Sequence, residues 1–360
     1  MADTVLLAIG TRKGVWLGTS RDRRKWALTG PHLPMTEAYA VTIDTRARPR
    51  LLVGASHLHY GPSVVISDDL GASWEESERA PISFPEDTDA ALERVWQLAP
   101  GPEGEPDVVY AGVEPSALFR SEDGGRTYEF VRGLWEHPHR PRWVPGGGGK
   151  ALHSVLPHPQ DRGSIVVAMS TGGVYRSEDA GRSWSASNRG IRVSFQPDEY
   201  PEFGQCVHKI ARDAVHPDRY FLQNHGGVYR SVDGALTWQS IAEGLPSDFG
   251  FPMVTHPRRE DVVYGFPLTA DERRFPPDGR CRVYRSEDAG SSWTASSGGL
   301  PDEFWSGVLR DALCVDDVDP AGVYFGSRSG EVYASRDEGR SFSRVAGHLP
   351  DVLSVRAAVV

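Results

Sequence analysis

The hydrophobic pattern of the chain is one of short β-strands separated by turns. Runs of four to six residues alternate apolar and polar side chains, as at residues 173–176 and 227–230. Alternation with a period of two is typical of half-buried strands. Two further apolar runs precede each of these strands, and the earlier of the two often ends in Pro. Examples are residues 107–112, 164–168 and 261–265 for the nearer run, and 153–157, 210–217 and 253–257 for the earlier one.

A polar phrase, S-x-D-x-G-x-x-W, follows each alternating strand, and the next strand starts at its aromatic residue. Asp accepts backbone N–H groups within a turn, Gly adopts positive φ there, and the aromatic ring packs between sheets. The phrase therefore predicts a hairpin turn with a structural role. Its six copies place these residues at the defining positions, with Ala235 in place of one Gly: Ser67, Asp69, Gly71, Trp74; Ser121, Asp123, Gly125, Tyr128; Ser177, Asp179, Gly181, Trp184; Ser231, Asp233, Trp238; Ser286, Asp288, Gly290, Trp293; Ser335, Asp337, Gly339, Phe342.

The phrase recurs with a nearly constant spacing. A degenerate seventh copy consists of Ser20 and Asp22 with Trp26, and counting from Asp22 the successive Asp residues are 47, 54, 56, 54, 55 and 49 residues apart. A period near fifty residues indicates a propeller or an array, and four strands per repeat is the composition of a propeller blade. An open solenoid of seven units is the structural alternative.

The two ends of the chain favour a closed ring. Residues 4–30 supply three strands of a blade, and residues 352–360 supply a single leftover innermost strand. Pairing them removes two exposed sheet edges. We therefore predict one all-β domain over residues 1–360, a seven-bladed β-propeller of four-stranded antiparallel blades closed by the C-terminal strand. The predicted blades are 352–360 with 4–30, then 37–79, 93–132, 150–187, 207–242, 250–297 and 308–346.

Composition narrows the class of protein. A hydrophobic fraction of 39% with 24% charged residues is globular, and a net charge of -10 argues against a protein that holds a nucleic-acid backbone. No apolar run approaches the roughly 20 residues that span a bilayer, so no membrane partner is expected. Cys206, Cys281 and Cys314 fit neither a disulfide framework nor a zinc ribbon, and the first residues lack a secretion signal. A cytoplasmic location is the expectation.

At its six boxes the chain resembles the BNR or Asp-box propeller proteins, which include sialidases, sortilin-type receptors, xyloglucan-hydrolysing propellers and a photosystem II assembly factor. It is also similar, at residues 152–156, 204–209 and 308–312, to bacterial and archaeal proteins labelled sialidase-like or glycosyl hydrolase. The resemblance implies a sialidase-like fold with the box turned away from the active site. It does not imply a true sialidase, because the Arg-Ile-Pro motif of that family is absent from this sequence.

The face opposite the boxes is where binding residues are expected. It carries the loops between blades and the loops joining the second and third strands, and long loops on a rigid scaffold often bind ligands. The hydrogen-bond donors of a guanidinium group match the geometry of carboxylate or phosphate oxygens, so an anion pocket is one interpretation. Trp143 would stack on a sugar ring or close the pocket. Solvated surface charge is the alternative. The ligand-binding candidates are Arg12, Lys13, His57, His59, Arg142, Trp143, Lys150, Gln205, Lys209, His225, Arg310 and Arg328.

Acid–base and metal chemistry have candidates on the same face. The catalytic candidates are Glu114, His153, His208 and Asp311. A divalent metal is a candidate cofactor, since imidazoles are common ligands, and the alternative is that these histidines bond backbone groups. The histidines in question are His57, His59, His153, His208 and His225.

These observations support three functional hypotheses. The leading one is a cytoplasmic propeller that binds a small anionic or carbohydrate-like ligand at the axial face opposite the boxes and acts as a glycan- or anion-directed hydrolase or lyase. The second is a non-catalytic scaffold or assembly factor that binds a protein partner. The third is a metal-dependent enzyme that uses the clustered histidines.

Overall fold

The strands of the protein form a closed ring of seven antiparallel sheets. A computed structural model describes residues 4–75, 77, 79–144, 149–170 and 172–360. The strands of the first half are β1 (Val5–Thr11), β2 (Gly14–Ser20), β3 (Ala27–His32), β4 (Thr36–Asp44), β5 (Arg50–His57), β6 (Gly61–Ser67), β7 (Arg94–Pro100), β8 (Val109–Glu114), β9 (Ala117–Ser121), β10 (Glu129–Phe130), β11 (Leu152–Pro157), β12 (Ile165–Met169), β13 (Gly173–Ser177) and β14 (Ser185–Ala186). Those of the second half are β15 (Val207–Arg212), β16 (Tyr220–Asn224), β17 (Val228–Ser231), β18 (Gln239–Ser240), β19 (Phe249–Thr255), β20 (Val263–Leu268), β21 (Val283–Ser286), β22 (Thr294–Ser296), β23 (Leu313–Val315), β24 (Val323–Gly326), β25 (Val332–Ser335), β26 (Ser343–Ala346) and β27 (Val352–Val359).

Each sheet is a blade built from strands that follow one another along the chain. The sheets are β27-β1-β2-β3, β4-β5-β6, β7-β8-β9-β10, β11-β12-β13-β14, β15-β16-β17-β18, β19-β20-β21-β22 and β23-β24-β25-β26. The second blade has three strands, and an isolated bridge between Ile66 and Glu75 stands where its fourth strand would lie. Residues 76 and 78, within the predicted span of that blade, lie outside the described residues.

The C-terminal strand closes the ring. β27 pairs antiparallel with β1, from Val5 opposite Val359 to Gly10 opposite Ser354. The innermost strands also contact one another around the axis in the order β27, β4, β7, β11, β15, β19, β23 and back to β27. The predicted seven-bladed propeller, with its closure by the last strand, is confirmed, and the open solenoid is excluded.

Helices contribute little to the described part of the chain. There are a short helix, α1 (Arg132–Trp135), and three 3-10 turns at Glu86–Thr88, Arg140–Arg142 and Pro277–Gly279. Within the described ranges no helix has the length and hydropathy that crossing a membrane requires.

The second strands of the blades are buried within the core. β12 and β20 are buried along their whole length, because neighbouring blades cover both faces of each sheet. Strands covered on both faces read as continuous apolar runs, which is the pattern seen in the sequence. The core is therefore distributed between the blades.

The six boxes form the same turn between the third and fourth strands. In the first of them the Ser67 hydroxyl donates to Asp69 and accepts the N–H of Gly71, while Asp69 accepts the N–H and hydroxyl of Ser73. The fourth keeps this bonding despite its substitution, since the Ala235 N–H donates to Ser231 at 3.0 Å. The turns lie at the opposite ends of the sheets from the loops that carry the candidate site.

Candidate functional site

A ring of β-bulges on the innermost strands shapes the axis of the propeller. Near the end of each inner strand that faces away from the boxes, the pairing with the second strand slips and leaves a residue without a direct partner. The six residues in this position are Leu353, Tyr39, Trp96, His153, His208 and Phe251, the last followed by Pro252 in a wider bulge. Asp311 has the equivalent place in the seventh blade, two residues before Leu313, the first paired residue of β23. Bulges re-aim side chains, and here they direct a repeated position towards the axis.

An axial pocket opens among these residues, with a volume of about 180 Å³. Five of the bulge positions line it together with four loop arginines from three blades. The lining residues are Arg12, Tyr39, Trp96, Phe251, Arg274, Leu309, Arg310, Asp311, Arg328 and Leu353. The pocket therefore combines three aromatic rings and four guanidinium groups with a single carboxylate.

Arg310 differs from the other arginines of the pocket. Its guanidinium carbon lies 5.0 Å from the ring centre of Trp96 and 5.9 Å from that of Phe251. Within the described part of the chain it makes no hydrogen bond or ion pair, and its buried Nε has no partner. Burial lowers the pKa of Arg310, yet a guanidinium stays charged in proteins. The charge of Asp311 acts on Arg310 without a direct ion pair between them. A largely buried cation with no direct partner is costly, so this group favours an anion in the pocket.

The remaining pocket arginines already have carboxylate partners. Arg12 donates to Glu37 at 2.8 Å and to Asp351 at 3.3 Å. Arg328 also reaches Asp351, at 3.0 Å. Arg274 pairs with Asp271 in its own loop at 2.5 Å. These three arginines shape the mouth of the pocket, and their charges are balanced by the carboxylates that they contact.

Asp311 is the centre of a buried ion cluster at the base of the pocket. Its Oδ1 accepts hydrogen bonds from Lys209 Nζ at 2.8 Å and from Arg356 at 2.5 Å. Burial alone would raise the pKa of Asp311, but the charges of Lys209 and Arg356 outweigh that effect and lower it to about 2. Asp311 is therefore a carboxylate at neutral pH, which suits an electrostatic stabiliser, makes it a weak proton acceptor and excludes a general acid. Its Oδ2 is buried with no hydrogen-bond partner.

Glu114 supports the pocket from outside its lining. Its Oε2 accepts hydrogen bonds from Arg94 at 2.9 Å and from the indole N–H of Trp96 at 3.0 Å. Arg94 in turn packs over the rings of Tyr39 and Trp96. The carboxylate thus orients Trp96 beneath Arg310, and the structure places it as a positioning group.

The two predicted catalytic histidines are both buried bulge residues. His153 is fully buried, with Nδ1 at 3.1 Å from the Ser154 hydroxyl and Nε2 at 2.8 Å from the Val207 carbonyl. Both of its nitrogens are engaged, which is the bonding of a structural residue. His208 donates from Nδ1 to the Gly250 carbonyl at 2.6 Å, so its Nε2 keeps a lone pair. Burial lowers the pKa of His208 to about 3 and keeps the ring neutral.

The five histidines predicted as metal ligands do not come together. His57 accepts backbone N–H groups from His59 and Tyr60 in the β5–β6 loop, and His153 bonds as just described. Over residues 4–75, 77, 79–144, 149–170 and 172–360, three ligand atoms converge only at Cys206, His208 and His225. The prediction was wrong for His57, His59 and His153, because the blades hold them in different places, and it missed Cys206.

Other predicted binding residues lie outside the axial pocket. Trp143 is buried in the fourth blade, where its indole N–H donates to the Tyr175 hydroxyl at 3.0 Å, so the predicted lid was wrong. Arg142 stacks over Phe203 on the rim. Gln205 is fully buried and donates to the Pro201 carbonyl. Lys13 and Lys150 are exposed and do not line the pocket.

The structure adds residues that the sequence prediction passed over. Tyr39, Trp96, Phe251 and Arg274 line the pocket, and Arg356 completes the ion cluster. The sequence contains a pattern that could have identified the three aromatic residues. Each stands two residues before a buried apolar residue of an inner strand, the same repeat position as His153 and His208.

Comparison with known proteins finds distant relatives and no matching family model. A xyloglucanase, Xgh74A, of Acetivibrio thermocellus is 28% identical over 199 residues, which cover 52% of this chain and 22% of the relative. A xyloglucanase of a Paenibacillus species is 24% identical over 168 residues, which cover 42% of this chain and 15% of the relative. The chain thus spans about a fifth of the length of the curated relatives it matches.

Two solved structures share the fold over most of this chain. An ancestral GH74 enzyme superposes with a TM-score of 0.55 at 18% identity, covering 84% of this chain and 37% of that one. YCF48 bound to D1 peptide superposes with a TM-score of 0.55 at 14% identity, covering 87% of this chain and 83% of that one. At these identities the likeness concerns architecture alone. It agrees with the observed fold, and the chain is a seven-bladed β-propeller.

Proposed function

We propose that this protein is a glycan-directed, hydrolase-like propeller whose axial pocket binds a small acidic sugar by its carboxylate. The unpaired guanidinium of Arg310, packed over Trp96 and Phe251, is the observation that carries the proposal. A guanidinium fork matches a carboxylate in two parallel hydrogen bonds. The resemblance to xyloglucanases supports a glycan as the ligand class.

The remainder of the pocket suits a sugar ring. Tyr39, Trp96 and Phe251 offer apolar faces, while Arg12 and Arg328 present N–H groups at the mouth. Asp311 is the single carboxylate in the lining, and its low pKa keeps it ionised at neutral pH. A two-carboxylate hydrolysis would need a protonated partner that the lining does not supply. Binding of the acidic sugar is therefore proposed first, with Asp311 as a fixed negative charge at the base of the pocket and not as a proton acceptor.

The test measures binding of acidic sugars and their neutral parents. Calorimetric titration with D-glucuronate and D-galacturonate, beside D-glucose and D-galactose, should give binding for the acids alone. Replacing Arg310 by Met should weaken that binding by roughly 10- to 100-fold, the range expected for a lost charge-assisted hydrogen bond of about 1.5–3 kcal/mol. Arg142→Met is the matched control, because Arg142 also stacks on an aromatic ring of the same face but lies outside the pocket. Equal affinity for acid and neutral sugars, or no loss in the Arg310 variant, would overturn the proposal.

A protein-binding scaffold is the second candidate, supported by a different observation. The face opposite the boxes exposes large apolar side chains on its loops, including Tyr60 at 87%, Leu58 at 73% and Trp305 at 65% of their surface. Exposed apolar groups concentrated on one face are typical of interaction sites. For this candidate, Tyr60→Ser with Trp305→Ser should abolish cross-linking to a partner in the native cell while leaving sugar binding at Arg310 intact. Retention of the same cross-links in that variant would count against it.

A further inference from the structure

Three side chains with metal-binding atoms meet beside the axis in the fifth blade. The Cys206 sulfur and one ring nitrogen from each of His208 and His225 all lie within 4.8 Å of one another. His208 is buried, and the other two are partly buried. Neither the chemistry proposed for Arg310 nor the relatives named above account for this group.

The distance between the Cys206 sulfur and His208 Nε2 matches that of a zinc site. Zn–S and Zn–N bonds of about 2.3 and 2.0–2.1 Å at tetrahedral angles require a sulfur-to-nitrogen distance of about 3.6 Å. The Cys206 sulfur lies 3.7 Å from His208 Nε2. The remaining separations are within 4.8 Å, so those atoms would have to move closer together to bind one ion.

His208 is already oriented as a ligand. Its Nδ1–H donates to the Gly250 carbonyl at 2.6 Å, which commits the ring to the tautomer with a lone pair on Nε2. That lone pair is on the side of the ring that faces the Cys206 sulfur. A backbone carbonyl that holds the far nitrogen of an imidazole is the usual outer partner of a metal-binding histidine.

The backbone around the group is also held in register. The His225 N–H donates to the Cys206 carbonyl at 2.9 Å, which ties the loop after β16 to the start of β15. The bulge in β15 turns His208 towards its neighbours. Phe249 and Phe251 pack against the histidine rings, with centres 5.3 Å from His225 and 4.7 Å from His208. These aromatic groups limit access of water to the three ligand atoms.

We propose that Cys206, His208 and His225 bind one Zn²⁺ ion through the thiolate sulfur and two imidazole nitrogens. Two imidazoles with one thiolate are a donor set for a borderline-soft cation, and hard cations such as Mg²⁺ prefer oxygen. Three protein ligands leave the fourth zinc position open, which is the arrangement of catalytic zinc rather than of closed structural sites. Phe251 packs against His208 and also lines the axial pocket, so the metal group lies beside the pocket proposed to bind an anion.

Metal titration of the full chain tests this site. Protein stripped with a chelator should take up one equivalent of Zn²⁺ by calorimetry, and Co²⁺ in its place should give a thiolate-to-cobalt charge-transfer band. Cys206→Ser should remove that band, and His225→Gln should weaken zinc binding by at least tenfold. His57→Gln is the matched control, because His57 is a loop histidine of the same face that lies outside the group.

The outcomes separate this site from the proposed sugar site. Arg310→Met should keep the equivalent of zinc while losing the acidic sugar, so one proposal can fail without the other. Circular dichroism of each variant establishes that it is folded. Absence of zinc uptake by the folded wild type, a cobalt complex without the thiolate band, or full uptake by a folded Cys206→Ser, His225→Gln double variant would overturn the proposal.

Discussion

At the scale of single residues, the box glycines are set by backbone conformation and by space together. Gly181 has a φ of 90°, and a Cβ at this position would lie 2.8 Å from Val131 Cγ1. In the fifth blade Ala235 adopts a φ of 67° with its methyl group fully buried. The turn itself therefore tolerates a methyl group, and the neighbouring blade decides whether there is room for it.

A glycine substitution tests this distinction. Gly181→Ala should destabilise the protein by about 2 kcal/mol, because it adds a positive-φ penalty to an overpacked contact. Ala235→Gly removes the penalty of a side chain at positive φ but also removes a small buried methyl group. The free energy of unfolding of this variant should therefore change by less than about 1 kcal/mol. Urea unfolding midpoints of the two variants give the comparison. Equal losses in both would show that the inter-blade contact is unimportant.

At the scale of elements, adjacent residues of the inner strands have two different roles. The bulge residue points towards the axis, and the residue after it bonds to another blade. Gln97 accepts the Val155 N–H, Ser354 donates to the Ala38 carbonyl, and Lys209 crosses to Asp311 in the seventh blade. Arg356 holds the same carboxylate from β27, so the closing strand and the base of the pocket share one ion cluster.

Loss of Arg356 tests how strongly this cluster holds the closing strand. Arg356→Met removes one of the two cations on the buried Asp311, and breaking a buried ion pair in this way typically costs about 3–5 kcal/mol. Arg344→Met on the neighbouring β26 is the control, because Arg344 is exposed and should change the free energy of unfolding by less than about 0.5 kcal/mol. Thermal and urea unfolding measure both. A loss no larger than that of the control would mean that strand pairing alone closes the ring.

At the scale of the whole molecule, the repeated turns make stability depend on pH. Hydrogen bonds from the hydroxyl and N–H of Ser73 and of Ser183 lower the pKa of Asp69 and of Asp179 to about 2. The pKa is lowered in the other four boxes as well. Because the ring is closed, its blades should unfold together, and these effects should appear in one transition.

Acid titration tests the combined effect of the six box aspartates on stability. The unfolded carboxylates take up protons near pH 4, whereas the folded ones resist until about pH 2, so the unfolded chain binds more protons between these values. The free energy of unfolding should be fully developed above pH 4 and fall steadily as the pH drops towards 2. Urea unfolding at a series of pH values, with Asp179→Asn beside the wild type, should show a shallower decline in the variant. An identical slope would contradict the assignment.

Much of the architecture was predictable because it is local and repeated. Ser177, Asp179 and Gly181 specify their turn through hydrogen bonds within five residues, so their recurrence predicts the blades. The three-stranded second blade was not predicted, because its box is intact and the change lies in the strand after it. The lid role of Trp143 failed for a related reason. Loop position indicated exposure, whereas packing against Tyr175 buries the ring.

The sequence by itself determined the number of blades and the turn geometry, since the period and the hydrogen bonding follow from neighbours along the chain. It also determined the closure by residues 352–360, since each end of the chain supplies an incomplete part of one blade. Its cytoplasmic location stays a prediction. Tertiary structure decided the site. Arg310 lies 214 positions from Trp96 along the chain and stacks on it across the axis, and only the bulge register brings Trp96, Phe251 and Asp311 to one pocket. Which charges remain unpaired depends on distances between blades, and no spacing within one repeat encodes them.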